Sequence, residues 1–385
     1  METVLIFRNE VLPVSETFIR NQAGAVTAFD VRFTGLGPAR TSSPEALRGG
    51  KPTLLTSDHS FASRLHRNLY VQSGLGSLNY LRKLDRLRPS LIHAHFAPDA
   101  TNAIAIAEQL QVPLVTTLHG YDVTMNDAAF SQDRNGRAFL RRREKLFNRS
   151  HHFFASCSYI RDRAIQAGFP AERIEVLYSG HDPNKFAIPQ QERNRNLILY
   201  IGRLVEKKGG RYLLQAAAQA SKKHPDLEVA IIGDGPLREE LKALAVELKL
   251  NCRFLGRLLD NEPGNSVFDW ISRARVFCMP SVTAENGDTE GQPAVFVEAH
   301  ALGTPAVSFK TAGIGEAVLD GETGLLAPER DVNALSESLL RLLQDDQLWA
   351  SYSERGKSWV WERFDIRKIN RQLEAAYRKA IDTYK

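Results

Sequence analysis

The chain has 385 residues, 43% of them apolar and 25% charged, and a formal net charge of +5. That length exceeds what one ordinary core serves and points to two α/β domains, and the composition excludes a disordered or low-complexity protein. No apolar run approaches the roughly 20 residues of a membrane span, and Cys157, Cys252 and Cys278 lie far apart in apolar surroundings, as suits buried thiols rather than a disulfide framework or a zinc site.

The opening METVLIFRNEVLP reads as a first strand, Val4–Phe7, and not as a signal peptide, because Arg8 and Glu10 interrupt its apolar stretch. Further strands are expected at Val31–Thr34, Leu91–His95, Leu114–Leu118, His152–Ala155 and Ile174–Leu177. Helical patterns fall between them at Ala62–Val71, Ser77–Leu87, Ala100–Gln109, Ala138–Asn148 and Ile160–Ala167. Such alternation predicts a parallel sheet covered on both faces. The polar stretch HDPNKFAIPQQERNRN lacks periodicity and marks a boundary near residues 183–195. The alternation then restarts. Strands are expected at Leu197–Ile201, Leu227–Ile232, Cys252–Leu255, Val276–Met279, Pro305–Phe309 and Gly324–Leu326. Helices are expected at Gly210–Lys222, Leu237–Leu248, Asp269–Ala274, Val295–Leu302 and Val332–Leu343, with Ile366–Thr383 at the end. The expected domains are 1–185, 186–365 and a terminal helix, 366–385, packing back toward the first. Residues 1–185 hold 23 Lys/Arg against 17 Asp/Glu, so the basic excess belongs to the first half.

Three segments carry chemistry. In LYIGRLVEKKGG, residues 199–210, a strand ends at Gly202 and a short loop presents Arg203 and Lys208 before a helix. Two cations beside helix amides suit a diphosphate, and a solvated basic loop is the plain alternative. In the segment from Glu290 to Glu298, one carboxylate stands at the mouth of a helix starting near Pro293 and the other inside it. Both could accept hydrogen bonds from sugar hydroxyls, and Glu298, between Val297 and Ala299, should be partly buried. The Gly-rich turn Thr311–Gly315 offers amides to a phosphate. IIGDGPLREE at 231–240 lacks the Lys-Ser/Thr ending of a P-loop. His93 and His95 alternate on one strand without further ligands at metal spacing, so core or crevice-edge roles are expected. His119 ends a strand before Gly120, where such folds bind ligands, and Asp122 reads as a cap.

GRLVEKKG, IIGDGPL, CRFLG, the Glu-x7-Glu segment with ALGTP, and AGIGEAVLDGETGLL together resemble the donor half of glycosyltransferase family 4. LPVSETFIRNQ, LIHAHF and TTLHGYD are similar to its bacterial exopolysaccharide branch. The resemblance spans essentially the whole chain and implies GT-B architecture: two facing Rossmann-like α/β domains with parallel sheets and a cleft between them. It implies Arg203 and Lys208 on the donor diphosphate, Glu298 on the ribose, and Glu290 on the donor hexose near the reacting carbon. It further implies Gly291 and Gln292 amides on sugar and phosphate, Phe254 and Leu255 flanking the base, and His119 reaching the donor sugar as a second catalytic residue. Two departures leave other contacts open: Ser179-Gly180-His181-Asp182 replaces the usual Asn-Gly-Val-Asp, and Pro13, Ser15 and Glu16 occupy the loop where the family carries Gly-Gly.

The implied activity is a retaining hexosyl transfer from UDP- or GDP-hexose to a saccharide or lipid-diphosphate-linked saccharide, in surface polysaccharide synthesis. No cofactor and no metal are expected, since fixed cations serve the diphosphate and no Asp-x-Asp clamp is evident. A cytoplasmic protein is expected. The basic stretches 67–88 and 141–145 suggest peripheral contact with anionic membrane at its inner face, and no nucleic-acid motif accompanies them. A sugar-nucleotide epimerase and a non-catalytic nucleotide-sugar binder are the alternatives.

Overall fold

The computed structural model describes residues 1–11, 13, 16–38, 49–73, 77–186, 192–258 and 265–384. Ser15 and the linker residues 187–191 lie outside that set. Two compact units result: Met1–His181 with Ile366–Lys385, and Asp182–Asp365.

In the first unit, seven parallel strands run β1 (Thr3–Val11), β2 (Asp30–Pro38), β3 (Thr53–Leu54), β4 (Pro89–His95), β5 (Leu114–Leu118), β6 (Ser150–Ala155) and β7 (Ile174–Val176). Their order is β3-β2-β1-β4-β5-β6-β7. Successive side chains of a strand point to opposite faces, and both faces of β1 are dry. Leu5 and Phe7 join one core, with Ala100, Ala103 and Phe139 from the helices Ala97–Leu110 and Arg134–Arg149. Val4 and Ile6 join the other, with Ile19 and Ala23 from the helix Thr17–Ala25 and Ile369, Leu373 and Tyr377 from the helix Ile366–Tyr384. The last three recur every four residues, so one stripe of the terminal helix closes this second core.

In the second unit the strands are β8 (Asn194–Ile201), β9 (Glu228–Ile232), β10 (Cys252–Gly256), β11 (Ala274–Cys278), β12 (Ala306–Phe309) and β13 (Gly324–Ala327). The order is β10-β9-β8-β11-β12-β13. Each sheet therefore reverses direction once, between β1 and β4 in the first and between β8 and β11 in the second. In open α/β sheets the crevice beyond the carboxyl ends of those central strands is where ligands bind.

Several elements depart from expectation, among them the following three. The strand β1 runs on to Val11, through Arg8. A helix occupies Thr17–Ala25, and another fills Asp346–Arg363. Of the apolar partners of the basic stretches, Leu81, Leu84, Phe139 and Leu146 are buried, whereas Leu69 and Leu78 are exposed. Among the described residues no helix is long and apolar enough to cross one.

Candidate active site

Lys208 and Glu290, two of the residues expected on the donor side, meet at the switch point of the second sheet because of a close backbone approach. After β8, Gly209 takes the left-handed conformation at φ +68°, and a Cβ there would stand 1.8 Å from the carbonyl oxygen of Pro280. Only glycine lets the loop after β8 lie against the chain leaving β11. Val282 then donates its N–H to the Lys207 carbonyl at 2.8 Å, and the helix Gly210–Ala220 starts directly behind.

That approach brings two lysines to the loop before the helix Ala294–Ala301. Lys208 Nζ lies 3.1 Å from Glu290 Oε1, and Lys207 Nζ lies 3.9 Å from the same oxygen. Lys207 also pairs with Asp288 at 2.9 Å. Glu290 is 7% exposed, which removes the reading of an exposed acidic loop. Its Oε1 touches no hydrogen-bond donor in good geometry, so the contact with Lys208 is an ion pair first. Burial alone would raise the Glu290 carboxyl, but Lys208, Lys207 and Arg203 together hold it below the usual carboxylate range. Burial lowers the Lys208 ammonium, with Glu290 opposing that shift.

Around this pair, Arg203 is exposed on the loop, with no ion pair among the described residues. Glu298 is half-buried in the helix that Pro293 caps, Gly291 is buried and Gln292 half-buried just before it. The turn Ala312–Glu316 supports the loop, as Gly313 donates its N–H to the Glu290 carbonyl at 3.3 Å. Phe254 and Leu255 are half-buried on the edge strand β10. The second unit thus holds Arg203, Lys208, Glu290, Gly291, Gln292, Glu298, Phe254 and Leu255. Sequence reasoning missed Lys207 and Asp288, although Lys207 stands in the same motif.

His119 belongs to the first unit. It is half-buried at the end of β5, with Nε2 3.0 Å from His95 Nδ1. Asp122 does act as a backbone clamp: it accepts the N–H groups of His119, Gly120 and Ala97 at 3.1, 2.8 and 3.1 Å. His93 is buried beneath, bonded to Thr117 Oγ1 and to Tyr377 OH, both at 2.6 Å. The rings of His93 and His95 stack at 4.3 Å, and those of His95 and His119 at 5.3 Å. Burial, above all, drives all three imidazoles below their ordinary range, that of His93 to about 3. Beside them, Arg8 pairs with Asp99 and bonds both carboxylate oxygens of Glu16, while Asn9 donates twice to Asp99. Burial raises the Asp99 carboxyl to about 6, against the pull of Arg8. This ionic cluster at the first switch point was not foreseen. Its one sequence signal was an arginine inside an apolar strand.

Comparison with known proteins bears on the family and the fold. The family described as "Glycosyltransferase Family 4" matches residues 15–185, and "Glycosyl transferases group 1" matches residues 182–359. The amylovoran biosynthesis glycosyltransferase AmsK of Erwinia amylovora is 31% identical over 66% of this chain and 61% of its own length. A GDP-mannose-dependent phosphatidylinositol monomannoside mannosyltransferase of Mycolicibacterium smegmatis is 30% identical over 56% of this chain and 59% of its own. The chain thus spans about three fifths of these curated relatives. HepE of Anabaena, solved in complex with UDP, shares the fold with a TM-score of 0.74 at 21% identity, across 98% of this chain and 100% of that one. The fold class is GT-B, α/β with two Rossmann-like units. With adjoining glycosyltransferase models accounting for the two sheets in turn, the chain belongs to glycosyltransferase family 4.

Proposed function

We propose that the chain transfers a hexose from UDP- or GDP-hexose to a saccharide or lipid-linked saccharide, with retention at the anomeric carbon, in bacterial surface polysaccharide synthesis. The observation that carries this reading is the buried meeting of Lys208 with Glu290, beside the exposed Arg203, at the carboxyl edge of β8 and β11. Departure of the nucleotide leaves negative charge on the diphosphate. A guanidinium fork and an ammonium already in place meet that charge with little reorganisation, so no metal is needed. Glu290, kept ionised by its lysines, accepts hydroxyl hydrogen bonds from the hexose, and Glu298 accepts those of the ribose. Retention then follows when the acceptor attacks the face the diphosphate leaves and a diphosphate oxygen takes the acceptor proton. His119, neutral at physiological pH, offers a hydrogen bond rather than a charge.

The names of relatives support the donor and pathway classes: amylovoran biosynthesis for one, GDP-mannose dependence for another, and UDP bound to HepE. A thermal-shift panel of UDP-, GDP- and ADP-hexoses tests the reading, with and without EDTA. A donor at a hundred times its Kd stabilises the folded state by about 2.7 kcal/mol. The expected result is a rise in Tm with a UDP- or GDP-hexose that EDTA leaves in place. No shift with any nucleotide sugar would overturn the proposal, and a shift that needs a divalent ion would overturn its metal-free part.

A further inference from the structure

Arg8 follows Val4 and Ile6 on one face of β1, where a further apolar side chain would serve the second core. Stability is a weak reason for an arginine there, since buried ion pairs often do no better than well-packed apolar groups. The cluster instead joins three segments at one point. The guanidinium holds Glu16, at the start of the helix Thr17–Ala25, through Nε at 2.8 Å and Nη2 at 2.5 Å. It pairs with Asp99, in the first turn of the helix Ala97–Leu110. It also donates to the His95 carbonyl at 3.2 Å, at the end of β4.

Those segments carry the rings around His119. Phe18, two residues past Glu16, lies 4.9 Å from the His119 ring. Phe96, between His95 and Asp99, lies 4.5 Å from that ring and 4.4 Å from the Arg8 guanidinium. Phe96 holds φ at +69°, a left-handed conformation that strains a bulky residue and persists only where its surroundings impose it. Here its N–H donates to the Thr117 carbonyl at 2.8 Å, and its carbonyl accepts the Asp99 N–H at 3.1 Å. His95 occupies His119 Nε2, which leaves Nδ1 as the ring nitrogen for a ligand.

We propose that Arg8, with Glu16 and Asp99, is a positioning residue for His119: by fixing Phe18, Phe96 and His95 it holds that imidazole in one orientation and one tautomer. The proposal rests on the reading that His119 offers a hydrogen bond during sugar transfer. A neutral ring that donates through Nδ1 accepts at Nε2, so His95 Nδ1 carries the proton between the two rings. Lysine is no substitute for Arg8, because acceptors on three segments need the planar, many-donor fork.

Arg8→Ala would strand Asp99 without its cation, so the test uses Arg8→Lys, which keeps the charge, and Glu16→Gln, which keeps the shape. Nitrogen-15 NMR of the full chain labelled at histidine reads the tautomer with no donor present. In the wild type, His119 should be one neutral form with its proton on Nδ1, and both variants should show a mixture of forms. Nucleotide release from UDP-glucose and GDP-mannose gives the second readout. Glu16→Gln should slow it about tenfold, but less than about twofold when His119 is already alanine, because residues acting through one group are not additive. Unchanged His119 resonances in both variants, or an equal loss of turnover with and without His119, would overturn the proposal alone. Full turnover in His119→Ala would overturn the reading it rests on, and the proposal with it.

Discussion

Glu290 is ionised at a place where burial alone would protonate it, because Lys208, Lys207 and Arg203 surround it. The consequence is a site that is costly to dismantle from either side. Lys208→Ala leaves a buried carboxylate with only Lys207 and Arg203 to hold its charge, and removing one partner of a buried pair costs about 3–5 kcal/mol. The low end is expected, read as a fall in Tm, because Lys207 remains at 3.9 Å. Glu290→Gln keeps the shape and removes the charge, so nucleotide affinity should hold or rise while kcat falls at least about tenfold. An unchanged kcat in a donor-saturated assay would remove Glu290 from the reacting centre. The linkage of the Glu290 carboxyl to pH has a definite sign. The folded carboxyl sits below its unfolded value, so its stabilising share is complete above the ordinary carboxylate range and is lost only as pH falls through the lower folded value. The motif made Arg203, Lys208, Glu290 and Glu298 legible as candidates. It could not show that Lys207 shares the carboxylate, since two adjacent lysines in a loop become distinct only once Gly209 fixes the turn.

At the scale of elements, the strand alternation was legible because both faces of each sheet are buried and the strands read as apolar runs. What was not legible depends on long-range partners. Arg8 prolongs β1 only because Asp99 and Glu16 neutralise it from other segments. Glu16, tied to Arg8, opens the helix Thr17–Ala25 with no side-chain cap bond, so that helix lacks the usual start signal. Two predictions belong here. Gly209→Ala strains a left-handed residue and drives its Cβ into Pro280, so the loop after β8 must shift. Nucleotide affinity should fall with Tm, and a variant with normal values of both would show that the close approach is dispensable. The second concerns the histidine ladder. His93, His95 and His119 fold neutral with lowered values, so their contribution is complete above the unfolded value near 6.5 and is lost as pH falls toward the folded ones. Asp99, raised to about 6, and Asp122, also raised by burial, act in the opposite sense, two groups against three. Acidification from pH 7 to 5 should therefore lower the Tm of the first unit. Tyr377→Phe, which strips the His93 Nδ1 partner, should cost about 1–3 kcal/mol of stability at pH 7, read as a further fall in Tm. A Tm indifferent to both changes would mean that the ladder carries no stability.

For the molecule as a whole, two sheets of the same kind serve different ends. The terminal helix returns its basic residues to the first unit, which sharpens a charge asymmetry that the sequence halves showed only weakly. A terminal helix packing back toward the first domain was expected, but the periodicity of Ile369, Leu373 and Tyr377 by itself says that the helix packs, not which residues of the first core it meets. The two units also separate the claims. All the proposed diphosphate and carboxylate contacts lie in the second, whereas the histidine ladder lies in the first. The central claim is that the loop after β8 holds the donor diphosphate. Titration calorimetry of UDP and GDP against the full chain and its Arg203→Ala, Lys208→Ala and Tyr377→Phe variants tests it most directly. Arg203 is exposed, so its loss should not disturb the fold, and a charge-assisted contact worth about 1.5–3 kcal/mol corresponds to at least roughly tenfold in Kd. The account predicts that weakening in the Arg203 and Lys208 variants, with the Tyr377 variant binding like the wild type. Equal affinity in all four proteins would contradict it.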